Sequence, residues 1–228
     1  MRVMTASAAA MLMALAAGAA TAAPKTLKFN LTTVTEAQGM HMNVEAKVWV
    51  KGGKARAETN DPRTGPMLML VDGPKTRYLF PQQRQGIIKT APAGKHGPGS
   101  PWEVLIASVS QLTHGAKKLG EETLDGYPCD IYELADHSPG QSMTIKSWIT
   151  RTTQPRLPLK VENTLQVKRP NVTVNQTQTT RITGLQIGVP LPDSLFAVPP
   201  GYKIVQARGP GFGGLPGGPG MGHAGPRP

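Results

Sequence analysis

The sequence lacks several features that would indicate particular classes of protein. It has one cysteine among 228 residues, so it can form no intramolecular disulfide and no cysteine-rich metal cage. Charged residues make up only 17%, too few for a coiled coil, and hydrophobic residues reach 39%, too many for a wholly disordered chain. It also has no His-Glu-x-x-His, Gly-x-Ser-x-Gly or Gly-x-x-x-x-Gly-Lys pattern. We therefore expect neither an enzyme nor a cofactor.

The charge of the chain is strongly basic but is not concentrated anywhere. Lys and Arg number 25 against 14 Asp and Glu, for a formal net charge of +11, yet they never form a block of five. A nucleic-acid-binding domain usually shows a basic stripe or cluster, so we expect no nucleic-acid partner. We expect the charge to face anionic lipid headgroups or an acidic protein instead.

The N-terminal segment has the pattern of an export signal. Met1 and Arg2 precede an apolar run from Ala8 to Ala20, and Ala20-Thr21-Ala22 is a small-x-small cleavage site. This predicts a signal peptide over residues 1–22, cleaved after Ala22, and a periplasmic protein; an uncleaved anchor is the alternative. The run is shorter than the roughly 20 apolar residues that span a bilayer, and no second candidate follows, so we expect no integral membrane protein.

The C-terminal segment differs in composition from the rest of the chain. Residues 209–228 contain 14 Gly and Pro in 20 positions and offer almost nothing to bury. Such a segment cannot offset the entropy lost on ordering, which predicts a disordered tail and leaves residues 23–208 as the folded domain.

Most of that domain shows the patterns of antiparallel β-structure. Between Met42 and Val50 apolar residues alternate with polar ones, and Gly52-Gly53 then provides a hairpin turn. Further strands are predicted at 54–59, 67–71, 76–80, 84–90, 127–134, 143–150, 157–167 and around 172–182, the last with many Thr and Gln. A helical turn is expected at 193–196.

One amphipathic helix interrupts the strands. Ser100-Pro101-Trp102-Glu103 has the form of a capping box with proline at the first helical position, and Gly115 closes the far end. An isolated helix of this length is marginal in water, so it should pack its apolar face on the sheet, and residues 91–99 ahead of it are rich in Gly and Pro. A curling sheet with one such helix leaves either a packed core or a pocket.

Two features of the sequence could carry other chemistry: a lone cysteine and a Met-His-Met triplet. Cys129 lies in an apolar strand, which favours a buried and inert thiol over a nucleophile. Met40-His41-Met42 could ligate Cu(I), but on a strand His41 points away from the two methionines, and ordinary core methionines explain the same residues. We therefore expect no metal site.

The order of several motifs resembles the LolA/LolB-like superfamily of periplasmic lipoprotein carriers. Val48-Trp49-Val50-Lys51 is similar to the family's Trp-Val-Lys strand, Met69 to Thr76 to its Val-Ser-Asp-Gly-Lys-Thr segment, and Leu191 to Tyr202 to its closing Phe-x-x-Pro-x-Gly. Two features depart from the family: Gly52-Gly53 replaces an Arg-Pro-Asn whose arginine couples lid to barrel, so that role is not transferred to Arg56, and a second long lid helix is missing.

The resemblance implies an incomplete antiparallel β-barrel, a half-barrel with the amphipathic helix as its lid over an apolar cavity. It implies a non-enzymatic carrier, expected to be monomeric, for lipoprotein acyl chains or another lipid. The alternative is an envelope sensor or interaction module that binds a protein partner with the same half-barrel. Residues that would line the cavity, each also compatible with ordinary core packing, are Val48, Val50, Leu68, Leu70, Tyr78, Phe80, Trp102, Leu105, Ile106, Val109 and Ile145.

The lid hypothesis predicts the effect of a charge on the apolar face of the helix. Leu105→Asp should weaken the uptake of an apolar fluorophore while the sheet stays folded, because a lid contributes to the cavity and not to the sheet. Fluorescence titration with circular dichroism tests this, and complete unfolding would instead mean that the helix is ordinary core.

Overall fold

The computed structural model describes residues 26–61, 65–90, 109–154, 156–169 and 172–206. These ranges form one sheet of twelve strands: β1 (Thr26–Ala37), β2 (Met40–Lys51), β3 (Lys54–Asp61), β4 (Gly65–Asp72), β5 (Lys75–Phe80), β6 (Gln85–Thr90), β7 (Lys117–Leu124), β8 (Tyr127–Ser138), β9 (Gln141–Thr150), β10 (Pro158–Arg169), β11 (Val172–Ile187) and β12 (Lys203–Gln206). Short 3-10 turns lie at Pro81–Gln83 and Asp193–Phe196.

The sheet is antiparallel throughout except at one edge. Its strand order is β12-β6-β5-β4-β3-β2-β1-β11-β10-β9-β8-β7, and only β12 pairs in parallel, with β6. The two edge strands, β12 and β7, do not pair with each other, so the sheet stays open. Because each strand twists right-handed against the next, a sheet this wide curls. The predicted fold class, an incomplete antiparallel barrel, is confirmed.

All nine strands predicted from the sequence are present, and three further strands were not predicted. The alternating segment became β2, its Gly52-Gly53 turn leads into β3, and the predicted helical turn at 193–196 is a 3-10 turn. Arg84, placed in a strand by the sequence, instead has a left-handed backbone with φ of 49° just before β6. The strands without a sequence prediction are β1, β7 and β12, of which β1 lies at the centre of the sheet.

The pairing register divides the side chains between two faces of the sheet. In the β1–β2 pair, Phe29 lies opposite Val48 and Leu31 opposite Ala46, while Lys28 lies opposite Trp49. Since directly opposed residues of antiparallel strands share a face, we call the face of Phe29 the inner face and that of Lys28 the outer face. The inner face carries the main core, in which Leu27, Phe29 and Val50 are buried.

The segment of residues 188–206, here called the C-terminal arm, crosses the outer face. Lys51 Nζ donates to the carbonyl of Leu191 at 2.8 Å and pairs with Asp193 at 3.0 Å. Arg56 Nη1 donates to the carbonyl of Leu195 at 2.8 Å. Beneath the arm lies a second cluster, formed by Leu68, Leu70 and Leu79 with Val198, Tyr202 and Ile204.

Several predicted segments lie outside the described residues. They are the signal peptide, the Gly/Pro-rich tail and the beginning of the amphipathic helix, of which only residues 109–113 are described and are helical. The predicted domain boundaries therefore stay predictions. Among the described residues, no helix is both long enough and apolar enough to cross a membrane.

A buried carboxylate joins β7, β8 and the connection between β9 and β10. Asp130 is 7% exposed and lies 2.8 Å from Lys118 Nζ and 2.6 Å from Arg156 Nη2. Burial raises the pKa of the Asp130 carboxyl group, but the hydrogen bonds and charges of Lys118 and Arg156 outweigh burial, so the pKa is lowered overall. The ionised form of Asp130 thus stabilises this end of the sheet.

The close approach of β12 to β6 requires glycine at position 86. A Cβ on Gly86 would lie 2.5 Å from Leu79 Cδ2 and 2.6 Å from Ile204 Cδ1. Gly86→Ala should lower the free energy of unfolding by about 1–3 kcal/mol, measured by urea denaturation, because Ile204 must move. Gly53→Ala, where no atom lies within 4 Å, is the control. Equal stability of the two variants would contradict the close packing of the arm.

The ion cluster predicts a pH-dependent contribution to stability. Because the folded pKa of Asp130 lies below its unfolded value near 3.9, its contribution is complete above that value and is lost as pH falls through the folded pKa. Asp130→Asn should therefore destabilise the protein at pH 7, and the difference from wild type should shrink toward about pH 2. Asp136→Asn, an exposed carboxylate of the same strand, is the control for denaturation at each pH. A difference independent of pH would refute the ionic role.

Candidate functional site

Among the described residues, the register places one ionisable residue on the inner face of the five central strands β2, β1, β11, β10 and β9: Arg169, opposite Val172 at the tip of the β10–β11 hairpin. The positions between this hairpin tip and the main core carry none. These positions hold apolar and uncharged polar residues, nearly all half-buried: Leu31, Thr33, Thr35, Met42, Val44, Ala46, Val48, Met143, Ile145, Ser147, Val161, Asn163, Leu165, Val167, Val174, Gln176, Gln178 and Thr180. A surface of this kind can bind an apolar or uncharged molecule without removing a charge from water.

The outer face of the same strands is charged. The positions that alternate with the inner ones carry Lys28, Glu36, Glu45, Lys47, Lys51, Lys146, Lys160, Glu162, Lys168 and Arg181. Some cations pack on aromatic rings: the Nζ atoms of Lys160 and Lys146 lie 4.2 and 4.8 Å from the centre of the Trp148 ring. The contrast between the faces makes the inner face the candidate binding surface.

The packing of the inner face changes along the strands. At the end where β1 begins, Leu27 is 0% and Val50 3% exposed, and Ile182 and Leu159 complete a closed core. Toward the hairpin tips, Val44 and other inner residues are only half-buried. The described part of the half-barrel is thus filled at one end and more open at the other.

Two cross-strand rows bring polar side chains onto the inner face. One row runs Tyr132, Ser147, Val161, Thr180, Thr33 and Val44, and the next runs Leu134, Ile145, Asn163, Gln178, Thr35 and Met42. Thr33 and Thr180 share a hydrogen bond of 3.3 Å between their hydroxyl groups, and Gln178 Nε2 donates to Thr35 Oγ1 at 3.4 Å. Sequence reasoning did not assign these residues to the site, although it noted the Thr- and Gln-rich composition of β11.

The predicted cavity residues divide into several groups. Val48 packs against the main core and Val50 belongs to it, while Tyr78 and Phe80 form an inner cluster with Ile87. Ile145 is half-buried in the second polar row.

Leu68 and Leu70 do not lie with the other predicted residues. In the register Leu68 opposes Glu58 and Leu70 opposes Arg56, so both leucines face outward beneath the C-terminal arm. The structure thus places both residues on the outer face, whereas the sequence analysis expected them to line the cavity. The physical reason is that β4 is covered on both faces, and a continuous apolar run does not indicate which residues face inward.

The predicted residues of the helix are mostly beyond the described part of the chain. Trp102, Leu105 and Ile106 lie outside it, whereas Val109 is half-buried in the helical segment, where its carbonyl accepts a hydrogen bond from Thr113 Oγ1 at 2.9 Å. The lid therefore stays a prediction.

Two potentially reactive side chains, Tyr78 and Cys129, have pKa values that burial raises. Burial raises the pKa of the Tyr78 hydroxyl group. Cys129 is 0% exposed, and burial raises the pKa of its thiol, so the thiol stays protonated at neutral pH. Within the described ranges, no group of three or more His, Cys, Asp or Glu side chains could hold a metal ion.

Two pockets open on the described surface, and each is lined by residues of both faces. A groove of ≈ 790 Å³ separates the arm residues Pro199 and Tyr202 from outer-face residues that include Lys47 and Glu58. A shallower pocket of ≈ 410 Å³ lies at the β1–β2 hairpin tip around Met40 and His41. His41 Nδ1 there lies 3.5 Å from Glu36 Oε1, and both side chains are exposed.

The chain is similar in structure to several solved proteins. They include lipoprotein LppX of Mycobacterium tuberculosis (14% identity, 74% of this chain and 89% of that one, TM-score 0.43) and MucB of Pseudomonas aeruginosa in complex with MucA (18%, 79% and 59%, TM-score 0.44). A third is an outer membrane lipoprotein-sorting protein domain from Vibrio parahaemolyticus (12%, 75% and 88%, TM-score 0.33). All three TM-scores are below 0.5. No protein-family model and no curated protein matches the chain.

Proposed function

We propose that the protein is a non-enzymatic carrier of the periplasm that holds the acyl chain of a lipoprotein or another lipid on the inner face of its half-barrel. The observation that carries the proposal is the difference between the two faces of the central strands. Inner positions such as Val44 and Val161 are uncharged and half-buried, while the alternating outer positions include Lys47 and Lys160.

The energetics of acyl-chain burial fit such a surface. Each methylene group moved from water into an apolar site contributes about 0.8 kcal/mol, so a long chain provides more than ~10 kcal/mol of gross driving force. Little of this requires specific polar contacts, since the hydrophobic effect is non-directional. Residues such as Met42, Met143 and Val174 offer flexible or small apolar surface at the accessible end of the half-barrel.

The closed end of the half-barrel favours the carrier hypothesis rather than the alternative, a surface that binds a protein partner. Leu27, Phe29 and Val50 fill that end, so a chain entering from the hairpin tips would stop against them. A protein partner would be expected to cover the open sheet surface more evenly. The same experiment that tests lipid binding therefore addresses the interaction module as well.

A pair of lysine substitutions in β2 tests the proposal. Val44→Lys puts a charge on the inner face and should weaken the uptake of N-phenylnaphthylamine by about tenfold, because an ammonium group is costly to desolvate. Asn43→Lys adds the same side chain to the exposed outer position beside it and should leave the affinity within about twofold. Fluorescence titration measures both.

Native mass spectrometry of the purified wild-type protein provides the second measurement. Co-purified lipid that is absent from Val44→Lys would support a carrier. A wild-type protein without lipid, unable to take up the fluorophore, would rule out the carrier and favour the interaction module.

A further inference from the structure

Four side-chain oxygen atoms are buried without a hydrogen-bond partner in the described part of the chain. One of them, Asp130 Oδ1, forms an ion pair with Lys118 Nζ at 2.8 Å, which leaves three on the inner face. They are Thr59 Oγ1, Ser147 Oγ and Asn163 Oδ1. All three belong to inner positions, since Thr59 opposes Ala46, Ser147 opposes Val161 and Asn163 opposes Ile145. Buried polar groups in folded proteins are nearly always hydrogen-bonded, so three on one face indicate that something else supplies their partners.

The surroundings of these atoms do not explain them as parts of an internal network. Ser147 is 1% exposed and lies in the row of Thr180 and Thr33, whose hydroxyl groups bond to each other. Asn163 lies in the adjacent row beside Gln178, whose amide already donates to Thr35. The two rows therefore form a polar strip across β1, β11, β10 and β9 that retains unused hydrogen-bonding capacity.

The strip itself contains no charge, and its neighbours on β2 and β10 are apolar. On β8 its first row ends at Tyr132, whose hydroxyl group donates to Asp130 Oδ2 at 3.5 Å and whose ring lies 5.9 Å from the Arg156 guanidinium carbon. On β2 its neighbours are Val44 and Met42, which end the two rows, and on β10 it is followed by Leu165. A carboxylate or phosphate seated there would lose its hydration with no cation of the strip to compensate it. Hydroxyl, amide or ester groups can instead be satisfied by the side chains present.

We infer that the ligand is an uncharged amphiphile, whose hydroxyl- or amide-bearing portion contacts the polar strip at Ser147, Asn163 and Gln178 while its hydrocarbon chain lies on the flanking apolar surface. This inference rests on the proposed function and narrows it to a ligand class.

Three probes with the same acyl chain test the ligand class on the full-length protein. They are 1-monolauroylglycerol, methyl laurate and the laurate anion at pH 8, each used to displace N-phenylnaphthylamine. Hydrophobicity alone ranks methyl laurate first, whereas the polar strip should make monolauroylglycerol displace the fluorophore at concentrations about fivefold lower than methyl laurate. The laurate anion should be the weakest.

A matched pair of variants assigns the preference to the strip. Asn163→Leu should abolish the advantage of monolauroylglycerol over methyl laurate, while Thr164→Leu, an exposed outer position of the same strand, should retain it. The melting temperature of Asn163→Leu should equal or exceed that of wild type, because the change removes a buried unpaired oxygen without leaving a partner unsatisfied.

The possible results separate the inference from the function on which it rests. Fluorophore uptake with methyl laurate bound as well as or better than monolauroylglycerol would overturn the ligand class and leave the carrier intact. A preference that survives in Asn163→Leu would overturn the assignment to the strip. If neither the fluorophore nor any probe binds, both the carrier function and the ligand class are refuted.

Discussion

Continuous antiparallel pairing from β6 to β7 is the constraint on which the rest of the structure depends. Since side chains alternate with a period of two, the register of one pair fixes the face of every residue in the next. Val44, Thr33, Thr180, Val161 and Ser147 reach the same face only because each pairing step between them is in register. A shift of one residue at β1 would bring the outer lysines onto the inner face.

The C-terminal arm packs on the outer face of β3, β4 and β5 and covers their apolar residues there. Its hydrogen bonds with Lys51 and Arg56 join the arm to the β2–β3 hairpin. Its apolar residues cover Leu68, Leu70 and Leu79. Strands β4 and β5 are thereby buried on both faces, and β12 extends the edge of the sheet beyond β6. The arginine of β3 acts here as a tether for the arm on the outer face.

Sequence patterns predicted the strands with one polar and one apolar face best. In β2 every second residue is apolar, so its face assignment followed directly from the alternation. The alternation is less clear in β4, which is apolar on both sides, and Leu68 and Leu70 were therefore assigned to the cavity. β7 lacks an apolar period. In β1, Leu27, Phe29 and Leu31 alternate with polar residues, but the alternation stops at Thr33 and Thr35, whose inner positions are polar. The polar strip depends on the register between strands that are far apart in sequence, since Thr33 and Thr180 are separated by 147 residues. Local periodicity in the sequence does not predict such a register.

Many of the basic side chains of the protein form local ion pairs or contacts with aromatic rings. Lys118, Arg151, Arg156 and Arg181 pair with carboxylates, and other cations lie over aromatic rings. Much of the charge is thus engaged in local contacts between neighbouring strands and turns, while the described inner positions of the central strands carry none apart from Arg169 at the β10–β11 hairpin tip. The polar strip and its apolar neighbours match the proposed ligand, whose hydrocarbon chain and neutral polar groups could enter the half-barrel without removing a charge from water.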